Sequence, residues 1–433
     1  MSQTQPDHHP PTGDLPADLA IVGARVFDGR EQTRSQVVVI SDGVIAAVSD
    51  DVPAGVEHVD GRGATLLPGL IDAHVHTDAR AQRLALTFGV TTTLDMGTFA
   101  SSDERYSWAT DERSADIRAA GPPITAPAGH PTQMFPATRP DAHTPCAHDF
   151  PQVDDPLVAR ARVEELVASG WDFVKFILED GALLGSPGLA ELAPRVYEAG
   201  VEAAHAHRRM AVTHTMTRAG TALAARAGSD GIVHLFVDGP HSAELVETVR
   251  AAGSFVTPCL SLVASLAGRT PTGLAEDRRV TDRLSPRWRE SLDGSLGTAP
   301  GISWRQVTAT VRALADAGVD LLAGTDFQPG PGLVPGVVPG ASLHGELQLL
   351  VDAGLSPVQA LLAATATPAR RFGLHDRGRI APGLRADLLL VDGDPTNSIG
   401  DTLAIRQVWR AGRSLTAGLA PHLGSDVVPH GGR

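Results

Sequence analysis

Residues 70–76 read LIDAHVH, and residues 321–327, near the other end of the chain, read LLAGTDF. Each is a short apolar run ending on groups able to hold a metal ion or a proton. Six more runs of the same texture lie between them: VTTTLDM (90–96), PITAPAG (123–129), FVKFIL (173–178), MAVTHTM (210–216), GIVHLF (231–236) and SFVTPCL (254–260). Their length and β-branched content predict strands. Helical stretches rich in Ala, Leu and Arg alternate with them, among them DPLVARARVEELVASG, LAELAPRVYEAGVEAAHAHRR and SWRQVTATVRALADAG. Eight strand-then-helix units predict an α/β fold, a (β/α)8 TIM-like barrel with its reacting groups at the C-terminal strand ends. A doubly wound open sheet is the alternative, but no Gly-x-Gly-x-x-Gly follows a strand here.

On either side of the barrel the texture changes. LAIVGARVFDG, SQVVVISDGVIAAVSD and GVEHVDGRGATLLPG before it, and GRIAPGLRADLLLVDGD and AIRQVWRAGRSL after it, read as strands broken by Asp-Gly and Gly-Arg-Gly turns. Both ends therefore belong to one small β-sandwich. The expected organisation is a disordered tail at 1–17, sandwich at 18–66, barrel at 67–373, sandwich again at 374–420 and a tail at 421–433. The first tail is polar and Pro-rich, so His8 and His9 read as solvated residues.

The chain has 433 residues, ample for a large core plus an accessory domain, and a net charge of 36 − 50 = −14. That charge disfavours nucleic acid as a partner. No apolar run approaches the roughly 20 residues of a membrane span. Two cysteines, Cys146 and Cys259, make no disulfide framework, and the start lacks a secretory pattern, so a cytoplasmic protein is expected. The expected partner is a small-molecule substrate, and a homo-oligomer is compatible with the sequence.

Of the 36 basic residues, 35 are arginine and one is lysine, Lys175. A background that favours Arg singles out this position as one where guanidinium cannot serve, since Lys can lose its proton and act as a nucleophile. Lys175 ends the fourth strand. As an ammonium it cannot bind a cation, but its carbamate with CO2 has two anionic oxygens that can bridge two metal ions; the ordinary alternative is a salt bridge to Asp326. His74 and His76, two apart on a strand, point to one face. His214 and His234 are one β-α unit apart, which predicts matching heights on neighbouring strands. Neutral imidazole is the commonest metal ligand. Asp326 ends the eighth strand, which closure sets beside the first.

These residues, together with PGLIDAHVH, GVTTTLDMG, the Lys of DFVKFI, the two His of VTHTMTRAGTALAARAGSDGIVH, AGTDF and the closing LSPVQALLAATATPARRFGLHDRGRIAPGLRADLLLVDGDP, resemble the amidohydrolase superfamily. The likeness runs over residues 18–420 and is to its binuclear, carbamylated-lysine branch, with wording nearest to imidazolonepropionase-like and prolidase-like members. The resemblance implies two divalent metal ions, zinc being the expected metal. One would be held by His74, His76, Asp326 and the Lys175 carbamate, the other by the carbamate, His214 and His234. It implies hydrolysis of an amide, peptide-like or cyclic-amide C–N bond by a hydroxide shared between the ions, with Asp326 moving the proton. Opening of a lactone or ester on the same centre, a mononuclear deaminase and a non-catalytic scaffold are the alternatives. Lys175 argues against the deaminase.

The sequence departs from that pattern in places. Met216 stands where many prolidase-like members carry a Tyr that helps hold a substrate carboxylate, and IVHLFVD replaces their usual His-Gly ending, so a simple dipeptidase is in doubt. Met216 is retained as a weak substrate-contact candidate. The Pro-rich loop GHPTQMFPATRPDAHTPCAHDFP (129–151) is expected to be a lid, with His130 nearest the chemistry as a substrate contact. A second metal site on His143, Cys146 and His148 is the minor alternative. The segment 265–301 is expected to be another cover, whose Arg278, Arg279 and Arg283 either bind an anionic substrate or form a solvated face. Cys259 reads as a small buried hydrophobe.

Overall fold

A computed structural model describes residues 19–138, 145–270 and 273–415. The expected tails, with His8 and His9, lie outside the described residues, as does His143. Leu70–Val75, Val90–Asp95 and Asp116–Ala119 form one parallel sheet, and Val174–Ile177, Ala211–His214, Gly231–Val233 and Phe255–Thr257 form a second. Single parallel bridges join them into a ring: Ile124 to Phe176, Val256 to Leu321 and Val75 to Phe327. Residues 321–327 are the eighth member, and the (β/α)8 barrel is closed. Ile71, Leu94, Val212, Val233 and Leu322, from five different strands, meet in one fully buried cluster.

Local sequence sets where the helices begin. The Asp78 carboxylate accepts the amides of Arg80 and Ala81 to start Ala79–Thr87, and Asp155 with Pro156 starts Pro156–Ala168. The helix expected from residue 189 begins only at Pro194–Ala206. Proline is pre-set for the first helical position and drives the residue before it into extended backbone.

The third strand is displaced from its expected place. Its ladder is Asp116–Ala119, and the stretch 123–129 supplies only the bridges of Ile124 and Thr125. Asp116 and Arg118 make this strand look unlike a buried one, yet Asp116 is 4% exposed. Its carboxylate accepts from Arg377 at 2.5 Å and Arg385 at 2.9 Å, both from the chain that follows the barrel. Burial pushes the Asp116 carboxyl up, and the charges of Arg377 and Arg385 more than offset this, holding it well below the usual carboxylate range.

The β domain draws on both ends of the chain. Leu19–Phe27, Gln32–Ser41, Val44–Ser49, Glu57–Asp60 and Ala64–Pro68 join Leu388–Asp392, Ile405–Arg410 and Arg413–Ser414 in one eight-stranded sheet. The seam is the antiparallel pairing of Ala64–Pro68 with Leu388–Asp392, Leu67 opposite Leu389. Fully buried Trp409 packs there with Ile21, Ile40 and Leu388. Among the described residues no helix is long and apolar enough to cross a membrane.

Asp116→Ala would remove the carboxylate shared by buried Arg377 and half-buried Arg385, which keep Asp376 and Asp387 as partners, so at pH 7 it should cost about 1–3 kcal/mol. Urea unfolding would register this as a lower midpoint. Because the folded pKa is depressed, the stabilisation is present above the ordinary Asp pKa of ~3.9 and is lost as pH falls through the folded value, so the variant and the parent should converge in strong acid.

Candidate metal centre

At the C-terminal end of the barrel the eighth strand is fastened to the first. The Asp72 carboxylate accepts from the Thr325 amide (3.0 Å), the Thr325 hydroxyl (2.8 Å) and the His74 amide (3.3 Å). The Asp326 amide donates to the His74 carbonyl at 2.8 Å. Gly324 makes this approach possible, since a Cβ there would lie 2.8 Å from the His74 nitrogen and 2.5 Å from the Thr257 methyl. Asp326 Oδ1 thereby comes within 3.4 Å of His74 Nε2 and 3.2 Å of His76 Nε2.

Three of the strand ends here are bent. His234, Cys259 and Asp326 have φ of +66°, +49° and +60°, a left-handed conformation uncommon in residues other than glycine. This is local strain of the kind found at functional sites. It turns the chain out of the ladder just where each side chain must face the barrel mouth.

The ring nitrogens are distributed by their partners. His76 Nδ1 donates to the Gly97 carbonyl at 3.1 Å, which leaves the Nε2 lone pair toward Asp326. His74 Nδ1 lies 3.5 Å from Cys259 Sγ, whose thiol donates to the Thr257 carbonyl, so the sulfur accepts from His74 and its Nε2 is likewise free to ligate. His214 and His234 have ring centroids 4.4 Å apart, and His234 and His74 4.8 Å. His214 Nε2 and His234 Nδ1 are buried and without hydrogen-bond partners. Two sets, His74–His76–Asp326 and His74–His234–Cys259, each bring three ligand atoms within 4.8 Å of one another. Orphaned, unprotonated nitrogens beside a carboxylate are the donor set a divalent cation takes, and the residues fit one.

Lys175 is 1% exposed and, with Ile177 two residues on, lines the same cavity as His76, His214, His234 and Asp326. The alternative of a salt bridge to Asp326 is not met: among the described residues Lys175 has no carboxylate within 4.0 Å. Burial lowers its pKa to about 7, against the upward pull of Asp326, Cys259 and Asp95. Burial, then the neighbouring Lys175, lowers His74 well below its ordinary value and His214 to about 3; burial and His214 do the same for His234. For His76, burial acts downward but the Asp326 carboxylate outweighs it, and the net shift is upward.

The remaining sequence candidates divide. His130 lines the cavity with its ring 5.2 Å from that of His214, and Gln133 donates to its Nδ1, leaving Nε2–H as its donor. Met216 is fully buried in the hydrophobic core and is not among the residues that line the cavity. Among the described residues neither Cys146 nor His148 joins a metal-competent group. Arg278 pairs with Asp282, Arg279 with Asp277, and Arg283 donates to the Thr87 and Ile405 carbonyls; all three lie away from the cavity.

Several residues at the centre carried no sequence signal. Cys259 supports His74, Gln328 donates to Asp326 Oδ1 at 3.3 Å, and the buried Glu179 carboxylate sits 3.6 Å from His214 Nε2. The spacing of Glu179, four after Lys175 on the same strand end, is the one hint the sequence offered.

Because His74, His130, His214 and His234 are buried neutral while their unfolded counterparts protonate near pH 6.5, folding binds fewer protons than unfolding does. These imidazoles therefore withdraw stability from the metal-free protein as pH drops from ~6.5 toward 4, each by up to about 1.4 kcal/mol per pH unit, while the buried Asp72, Asp95, Glu179 and Glu346, whose carboxyls burial pushes up, contribute in the opposite direction. NMR titration of the imidazole resonances in the metal-free folded protein tests this; protonation of these rings near pH ~6.5 would remove the neutral-imidazole account.

The sequence profile of the Amidohydrolase family matches residues 65–415. An imidazolonepropionase of Rubrobacter xylanophilus is 29% identical over 97% of this chain and 97% of its own length. An adenine deaminase of Moorella thermoacetica is 27% identical over 97% of this chain, which spans only 62% of that longer protein. The crystal structure of a Xaa-Pro dipeptidase with bound methionine in the active site superposes with a TM-score of 0.71 at 21% identity, covering 92% of this chain and 99% of that one, and shows the shared fold. With the profile matched over most of its length, the chain belongs to the amidohydrolase family.

Proposed function

We propose that this protein hydrolyses the C–N bond of an amide, peptide-like or cyclic-amide substrate at a centre of two divalent ions. The observation that carries the reading is the convergence of His76, Lys175, His214, His234 and Asp326 on one cavity, with His74 buried against Asp326 and His234 beneath them, and with Lys175 buried and lacking an ion-pair partner among the described residues. His74, His76, Asp326 and a carbamylated Lys175 would hold one ion; the carbamate, His214 and His234 would hold the other. When bound, the ions, zinc by the nature of the donor set, supply Lewis acidity to the substrate carbonyl and bring the pKa of water down toward ~7.

The protein's own groups do the rest. With a pKa of about 7, a large share of Lys175 is free amine at neutral pH. The Nζ–C bond to CO2 forms, one C=O electron pair moves to oxygen, and the displaced proton leaves to solvent. Asp326 accepts the proton of the attacking water at Oδ and returns it to the nitrogen of the leaving amine, acting first as base and then as acid. Gln328, bonded to Asp326 Oδ1, steers that carboxylate, and His130 Nε2–H is the donor available to a substrate oxygen. Two buried free cysteines fit a reducing compartment such as the cytoplasm.

Metal analysis after expression in supplemented medium should find two ions per chain; none would overturn the reading. Lys175→Ala should lose metal and activity and regain part of both with short carboxylic acids. Lys175→Arg should be as damaging despite keeping the charge. Asp326→Asn should lower kcat by about 10²–10⁴-fold with the thermal unfolding of the protein little changed; near-normal kcat would take Asp326 out of proton transfer.

A further inference from the structure

The cavity over the metal centre has a volume of about 290 Å3, at the small end of the ~300–1,000 Å3 usual for ligand clefts. Its ionisable groups are gathered at the centre, and its outer part is mostly apolar, with Gln133, Ser186 and Thr298 the uncharged polar side chains there. From the lid, Phe135 and Phe150 meet Phe99 in a mutually edge-to-face trio, with ring centroids 4.9, 5.0 and 5.9 Å apart. From the segment after the seventh strand come Leu266 and Leu296, held in place where the Thr298 hydroxyl donates to the Leu183 carbonyl at 2.9 Å. At the rim, Met134 and Leu333 are 62% and 56% exposed, unusual for such side chains.

Charge is missing where a substrate's far end would sit. Among the described residues lining the cavity, Lys175 is the single Lys or Arg and Asp326 the single carboxylate, and both belong to the metal centre. The arginines of the covering segment are committed elsewhere: Arg279 to Asp277 and the Gly400 carbonyl, Arg283 to backbone carbonyls under Phe88. A carboxylate pushed into this space would shed its hydration and meet, among the described lining residues, no Lys or Arg outside the metal centre, a heavily penalised exchange. An aryl or branched alkyl group would bury apolar surface against the rings, which favour edge-to-face contacts.

We infer that the substrate is an uncharged amide whose far end, away from the scissile bond, carries an aryl or branched-alkyl group, and not an N-acyl amino acid or dipeptide with a free carboxylate. This rests on the amide-hydrolase reading above and narrows it. Nothing in the sequence marked the Phe99–Phe135–Phe150 wall, since its members lie on two separate loops.

The test compares 4-methylacetanilide with 4-acetamidobenzoate, which carry a neutral methyl and a charged carboxylate respectively at the far end of the ring, on the zinc-reconstituted full chain. The neutral anilide should have a kcat/KM at least ~30-fold higher, and Leu333→Arg, at an exposed rim position that folding tolerates, should narrow that ratio by ~10-fold or more. Equal rates or a preference for the benzoate overturn the inference while amide hydrolysis stands. Ligand-observed NMR on the same protein gives the Kd of each compound without needing turnover. If neither anilide is hydrolysed but the neutral one binds at least ~10-fold tighter, the cavity preference holds and amide hydrolysis fails. Equal binding, or binding of neither, overturns the preference itself.

Discussion

The fastening of the eighth strand to the first is the contact on which the rest depends. Asp326 is separated from His74 and His76 by most of the barrel, and only ring closure makes them neighbours. In backbone terms the closure is three hydrogen bonds, the Ala73 amide on the Ala323 carbonyl, the Asp326 amide on the His74 carbonyl and the His76 amide on the Phe327 carbonyl. The Asp72 carboxylate adds two hydrogen bonds across the same seam, from the Thr325 amide and hydroxyl, and Gly324 gives the two chains room to meet. One buried acid thus aligns two ligands from one strand with a third from another, and it does so from beneath the site, out of reach of substrate.

Above that seam the protein tolerates an arrangement that is costly in the absence of a cation. Several imidazoles and an amine are buried at close quarters, and most are kept neutral because burial penalises their charged forms more than the neighbouring carboxylates can repay. Left-handed backbone at His234, Cys259 and Asp326 adds strain to the same few residues. Any cation that binds the folded chain alone offsets these costs by mass action. Stability and readiness for a metal are therefore coupled in the same side chains.

Much of this was readable from the residues because the barrel repeats one pattern. A strand that ends on His-x-His, a lone lysine among arginines, two histidines one unit apart and a terminal Gly-Thr-Asp each need only the strand period and the ring to find their places. The parts that escaped are those decided by partners distant in sequence. The third strand was placed too late because Asp116 looks like a surface residue until Arg377 and Arg385 arrive. Met216 was singled out because it stands where prolidase-like members carry a Tyr, and a matching position cannot show that the side chain there packs into the core. Cys259 looked like a small hydrophobe, and burial is indeed its state, but its sulfur also orients His74.

The seam in the β domain constrains the order of events during synthesis. Ala64–Pro68 is laid down early, while its antiparallel partner Leu388–Asp392 emerges from the ribosome only after the entire barrel has been made. Until then an apolar strand edge, with Leu66 and Leu67 on it, stays open to other chains, and pairings of such long separation form slowly. The nascent protein thus carries a sticky margin through nearly all of translation, which makes shielding by a chaperone, or rapid elongation through the last helices, part of what this architecture demands of its host.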